Sequence, residues 1–320
     1  MKKNILNLLP LMLLALCLTA CDEDEIKSES VITTDSYTQN DFDKWLEANF
    51  ISPYNIMFKY RYEEIESDLN YYTVPAQLEY SVAMAHIVKH MCIDTYDEVA
   101  GIEFTRAYFP KEFFLIGTWE FRNNGTFILG TAEGGKKILL AGINYLGDIF
   151  NGSGYGSGYT VIDGLNHYYV KTIHHEFTHI LNQTKDYTPD FKQITGNGYV
   201  ADSWSESPYR ESDGNYLKRG FISAYAQMED REDFAEMLSM YITHSPAWWE
   251  NQMESADGIY DDRIQGTTTG RALIQMKLDV VRAYMKDSWN IDIDKLRDVI
   301  QRRQREVAYG NVDLTDLSLN

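Results

Sequence analysis

The sequence predicts an α+β fold in two lobes around one helix. The N-terminal lobe, to about residue 183, holds an antiparallel or mixed sheet, and the C-terminal lobe, from about 184, is mainly helical. Three observations lead there. Short apolar runs before residue 150 are separated by the turn dipeptides Asn124-Gly125 and Gly134-Gly135. Past residue 230, three segments carry apolar residues at a helical period. Between the two regions, "KTIHHEFTHILNQ" (Lys171 to Gln183) reads as a helix with one apolar and one polar face.

Residues 1–21, "MKKNILNLLPLMLLALCLTAC", stand apart from this fold. Lys2 and Lys3 precede an apolar run that Pro10 interrupts and that is too short to span a bilayer. A basic start, a short apolar middle and small residues before the cut describe a secretory signal. The ending Leu18-Thr19-Ala20-Cys21 resembles the lipobox of bacterial lipoproteins, which implies a lipid on Cys21 that anchors without spanning. The run Asp22-Glu23-Asp24-Glu25 behind it resembles the surface-export signal of Bacteroidota lipoproteins and implies the outer face of the outer membrane. Residues 22–40 are polar and read as a flexible tether, leaving 41–320 as the folded domain.

Charge removes one class of partner. With 48 acidic against 29 basic residues the formal net charge is −19, a field that repels nucleic acid and anionic lipid. Cysteine removes internal disulfides. Cys17 leaves with the signal, Cys21 carries the lipid, and Cys92 stands alone as a buried small apolar residue.

The domain opens with "NDFDKWLEANF", a helix capped by Asn40 or Asp41 with Phe42, Trp45, Leu46 and Phe50 on its apolar side. "YNIMFKYRY" alternates as a strand, and "VPAQLEYSVAMAHIVKHMC" reads as a helix starting at Pro75. "EFFLIGTWEF", "TFILGTA" and "KKILLAGINYL" read as strands joined by hairpins. The glycines of "NGSGYGSGY" lack the spacing of a phosphate loop and make a flexible connection. Residues 186–227 show no period, and loops of that length are often functional. "EDFAEMLSMYI", "GRALIQMKLDVVRAYMKDSW" and "DIDKLRDVIQRRQREV" supply the C-terminal helices.

His175-Glu176-Phe177-Thr178-His179 fits H-E-x-x-H. Residues four apart share a helix face, so both imidazoles can reach one zinc ion at about 2.1 Å. Glu176 is turned about 100° from His175, placed to hydrogen-bond a zinc-bound water without ligating. Val170, Ile173, Phe177, Ile180 and Leu181 fall on the opposite, core-facing side, and His174 points away from the pair. His86 and His90 share the same spacing but lack the glutamate, and read as an ordinary helix pair.

Two histidines do not complete a zinc site. The metzincin extension needs Gly at 182 and His at 185, where this chain has Asn182 and Lys185. Asp186 and Asp190 follow the motif without a pattern that positions them. In "REDFAEMLSMY", Glu232 and Glu236 share one helix face opposite Phe234, Leu238, Tyr241 and Ile242. "EDFAE" is similar to the second motif of gluzincins, the group that includes thermolysin-like enzymes. The resemblance implies Glu232 as third ligand and Glu236 as the acceptor that orients a ligand histidine. The reverse assignment stays open at this point. Tyr225, seven residues before Glu232, resembles the tyrosine of anthrax lethal factor and its relatives, which implies a hydroxyl that stabilises an oxyanion or protonates a leaving amine.

The lipobox with its acidic tail, the His175–His179 helix and "SAYAQMEDREDFAE" together resemble the zinc metallohydrolase lipoproteins of Bacteroidota that accompany SusC/SusD-type import systems. The resemblance implies a zincin-like metallopeptidase with one Zn²⁺ per chain, a peptide or protein substrate and an import complex as partner. Glu176 and Tyr225 would be catalytic, with His175, His179 and Glu232 on the metal. Strand order suggests that "KKILLAGINYL" pairs with an extended substrate. The rival class is a non-catalytic surface lipoprotein, either a degenerate protease with a structural zinc or a binding subunit using Trp204, Trp248 and Trp249 to stack on glycans. Glu176 separates the two, because a structural site has no need of it.

Overall fold

The computed structural model describes residues 38–63, 71–121, 127–128, 130–133 and 137–319. The signal segment, Cys21, nearly all of the tether and the dipeptides Asn124-Gly125 and Gly134-Gly135 lie outside them. Among the described residues no helix is long and apolar enough to cross a membrane.

The first helical run, α1 (41–54), passes through a π turn at Glu47–Ile51 and stops at Asn55, which is left-handed at φ 53°. Its apolar side is the expected one, with Phe42, Trp45, Leu46 and Phe50 buried. β1 follows at Met57–Lys59. The next run, α2 (78–100), begins at Leu78 rather than at Pro75. Asn144 holds the preceding segment extended by accepting from Gln77 N–H at 2.7 Å and donating to Pro75 O at 3.1 Å. Pro75 therefore bridges Ile116 instead of opening the helix. α3 spans Ile102–Tyr108.

The sheet corrects the hairpin reading in part. β2 (Glu112–Leu115) lies between β1 and β6 (Lys137–Leu140), parallel to both. β5 (Gly130–Glu133) is the antiparallel member, at the edge in the order β1-β2-β6-β5. β3 (Glu120–Phe121) and β4 (Phe127–Ile128) form a separate antiparallel pair. Parallel pairing of β1 with β2 needs a long crossover, which α2 and α3 provide. Phe113, Phe114, Leu115, Ile138, Leu139 and Leu140 are all buried, as in strands covered on both faces. β6 is interior, so "KKILLAGINYL" offers no free edge and the idea that it pairs with substrate falls.

α4 (Leu146–Asn151) leads to the long run α5 (161–184), whose final segment Lys171–Thr184 carries the histidine motif. Val170, Ile173, Phe177, Ile180 and Leu181 are buried, with Phe177 edge-on to Tyr96 and Phe109 at 4.9 and 5.0 Å. The aperiodic stretch holds a short α6 (Asp190–Ile194) and 3-10 turns at Ala201–Ser205, Glu211–Asp213 and Tyr225–Gln227. Then come α7 (Asp230–Thr243), α8 (Pro246–Ser255), α9 (Asp262–Gln265), α10 (Gly270–Trp289) and α11 (Ile293–Ala308). α8 has no clear apolar period in the sequence, but Ser245 caps it by accepting from Trp248 N–H. α7 packs against α5 on one side and against α10 and α11 on others. Trp249 is buried in this packing, which removes it as a glycan-stacking surface, while Trp204 and Trp248 are half-buried.

Candidate metal centre

The helical period puts Lys171, His175 and His179 on one face of α5, opposite its core face. α7 brings Glu232 and Glu236 against that face. His175 Nε2 lies 2.9 Å from Glu232 Oε2, His179 Nε2 lies 3.3 Å from the same oxygen, and the two Nε2 atoms are 3.1 Å apart. Among the described residues this is the one group of three or more such side chains that could hold a metal ion.

The donor set fits zinc. Two imidazole nitrogens and a carboxylate oxygen converging on one point repel one another unless a proton or cation sits among them. Ligands at about 2.0–2.1 Å in a tetrahedron stand about 3.3 Å apart, close to the spacings here. Burial pulls the His175 imidazolium down, but Glu232 and Glu236 outweigh it and raise the group to about 9. Burial likewise opposes ionisation of Glu232, yet His175 and His179 hold its carboxyl well below the usual range. A metal entering the site displaces the proton.

Glu236 sits behind the cluster, 1% exposed. Its Oε1 is 2.8 Å from His175 Nδ1, although the ring N–H does not point squarely at it. The same oxygen accepts from Lys171 Nζ at 2.9 Å, and Oε2 accepts from the Ser223 hydroxyl at 2.8 Å. Burial opposes the charge here too, and Lys171 with His175 keeps the carboxyl well below its ordinary value. Glu232 thus faces the Nε2 side of His175 and Glu236 the Nδ1 side.

Glu176 is half-buried and accepts no hydrogen bond among the described residues. Burial raises its carboxyl, and the charges of His175 and His179 pull it back. Tyr225 stands on the turn before α7, its ring 6.0 Å from that of His175 and 5.0 Å from that of Trp204. Burial, then Glu232, Glu236 and Glu176, push its phenol well above the ordinary value.

Other sequence candidates lie elsewhere. His174 is fully buried on the far side, bonded to the Tyr96 hydroxyl at 3.0 Å and pushed down to about 3 by burial. Asp186 and Asp190 are exposed and outside the cluster, Asp190 accepting from Thr188. His90 pairs with Glu306 at 2.7 Å and His86 with Asp316 O at 3.0 Å, and the two histidines belong to no cluster of three metal-binding side chains among the described residues. Cys92 is fully buried and its thiol is pushed up by burial. Sequence reasoning passed over Lys171 and Ser223. Lys171 could have been found four residues before His175 on the polar face, whereas nothing local marks Ser223.

Over residues 35–294 the sequence matches the Peptidase_Mx1 family, described as "Putative zinc-binding metallo-peptidase". The chain belongs to this family. A crystal structure of "a putative zinc-binding metallo-peptidase" from Bacteroides caccae is similar to it at 38% identity and a TM-score of 0.68, covering 87% of this chain and 96% of that one. No curated protein matches the chain. The mostly helical α+β fold with its small, largely parallel sheet is thus similar to that of this crystal structure, and the zinc-binding description of the family agrees with the His/His/Glu grouping.

Proposed function

We propose that this chain is a zinc-dependent peptidase held by a lipid on Cys21 at the outer face of the outer membrane, beside a SusC/SusD-like import complex. The observation that carries the catalytic part is the convergence of His175, His179 and Glu232 beside Glu176, whose carboxylate accepts no hydrogen bond among the described residues. The lipobox ending at Cys21 and the acidic run behind it support the location.

His175, His179 and Glu232 would hold the ion, with Glu236 fixing His175 from behind. When bound, zinc supplies Lewis acidity and a water acidified towards neutral pH at the open position. Glu176 would accept a proton from the attacking water and return it to the departing amine nitrogen, and its raised carboxyl suits both tasks. The Tyr225 phenol, kept protonated by burial and three nearby carboxylates, donates to the developing oxyanion. β5 is an edge strand beside α5, which suits pairing with an extended peptide.

The test is cleavage of a quenched fluorescent peptide library by wild type and Glu176→Gln, with zinc measured in both. The expected result is equal zinc and cleavage lower by roughly 10²–10⁴-fold in the variant. Equal cleavage would remove Glu176 from the mechanism. Zinc without cleavage in the wild type would leave the non-catalytic surface lipoprotein as the better account.

A further inference from the structure

Glu236 is held by more groups than the orientation of one imidazole requires. Lys171 on α5 reaches across to α7 and shares Oε1 with His175 Nδ1, at 2.9 and 2.8 Å. Ser223 holds the other oxygen at 2.8 Å. The same Ser223 hydroxyl accepts the N–H of Ala226 at 3.1 Å, inside the turn that presents Tyr225. One carboxylate thus joins a motif histidine, a cation one helical turn before it, and the tyrosine turn.

A carboxylate this deeply buried is costly without an opposite charge and can rotate if only one oxygen is bound. Lys171 supplies the charge, with its side chain 18% exposed. Ser223 removes the rotation. Between them they leave one carboxylate orientation, in which Oε1 meets His175 Nδ1 and the imidazole keeps Nε2 towards His179 and Glu232. We infer that Lys171 and Ser223 are positioning residues for zinc binding, acting on His175 through Glu236. The inference rests on the zinc site proposed above.

Charge alone makes the opposite prediction for Lys171, because removing a cation beside the site strengthens the attraction for Zn²⁺. The experiment is zinc affinity of the full chain, measured by competition with a chromophoric chelator. The variants are Lys171→Met, Lys171→Arg, Ser223→Ala, Glu236→Met and the double variant Lys171→Met/Glu236→Met. Lys171→Met and Ser223→Ala are expected to weaken zinc binding by about 10–100-fold, with partial recovery in Lys171→Arg. The double variant is expected to bind no more weakly than Glu236→Met, since Lys171 acts through that carboxylate. Wild-type affinity in both single variants, tighter binding in Lys171→Met, or additive losses in the double variant would overturn the inference. Should Lys171→Met fail to fold, Ser223→Ala, which removes one hydroxyl, carries the test. A wild-type chain that binds no zinc overturns the zinc site itself, whereas wild-type zinc with unaffected variants overturns the positioning role alone.

Discussion

Replacing Lys277 with Met removes the cation that balances Asp233, the neighbour of Glu232 on α7. Both side chains are fully buried, with Nζ and Oδ2 2.5 Å apart. Lys277 Nζ also donates to Gly220 O at 2.8 Å and lies 3.8 Å over the Phe221 ring. After the substitution Asp233 keeps the Tyr199 hydroxyl at 2.9 Å and no cation. Breaking one side of a buried ion pair costs about 3–5 kcal/mol, because the remaining charge stays uncompensated. An unfolding entropy of about 2.1 cal/mol/K per residue, over the roughly 280 residues of the unit 41–320, gives about 0.6 kcal/mol/K. Calorimetry of Lys277→Met should then show Tm lower by about 5–9 °C. Adding Asp233→Leu should recover most of that loss, since an apolar pair of similar volume replaces the ion pair at little net cost. A Tm within about 2 °C of wild type in the single variant would refute the reasoning, as would a double variant less stable than the single one.

Three further outcomes are expected. Phe177→Ala, which empties a fully buried site against Tyr96 and Phe109, should lower unfolding free energy by about 3–5 kcal/mol in denaturant titration, and a loss under 1 kcal/mol would contradict the packing of α5. His174 and His244 are pushed down by burial from 6.5 to about 3 and about 4. The folded state therefore binds fewer protons than the unfolded one, and the stability gained by keeping both neutral is present above 6.5 and lost as pH falls through the folded values. His174→Gln should flatten that acid slope, and an unchanged slope would assign it to other groups. Removing zinc with a chelator should lower Tm, by about 4–5 °C relative to free zinc at 100 times its Kd, and a Tm independent of zinc concentration would contradict a site formed only in the folded chain.

The grouping of the candidate metal ligands was more legible than the topology. His175 and His179 are local in sequence, so one helix turn places them together. Glu232 and Glu236 were readable for the same reason, once a second helix was assumed to face the first. The segments on either side of Asn124-Gly125 and of Gly134-Gly135 pair antiparallel, as those local signals predict, whereas the parallel pairings of β2 with β1 and β6 join distant segments and were missed. The continuous apolar runs "EFFLIG" and "KILLA" were the available hint, since a strand covered on both faces does not alternate. Lys171 and Ser223 reach Glu236 from 65 and 13 residues away, and the helical period marks Lys171 only as a member of the His175 face while nothing local marks Ser223. Asp233 and Lys277 belong to residue types that are mostly exposed, and they lie fully buried because each neutralises the other.

Zinc content of the purified chain by mass spectrometry, in wild type, Glu232→Ala and Glu236→Ala, tests the account most directly. The account predicts about one zinc per chain in wild type, loss in Glu232→Ala, and weakened but detectable binding in Glu236→Ala. Zinc retained in Glu232→Ala and lost in Glu236→Ala would exchange the two glutamates' roles. A wild-type chain that stays metal-free after reconstitution would contradict the central claim.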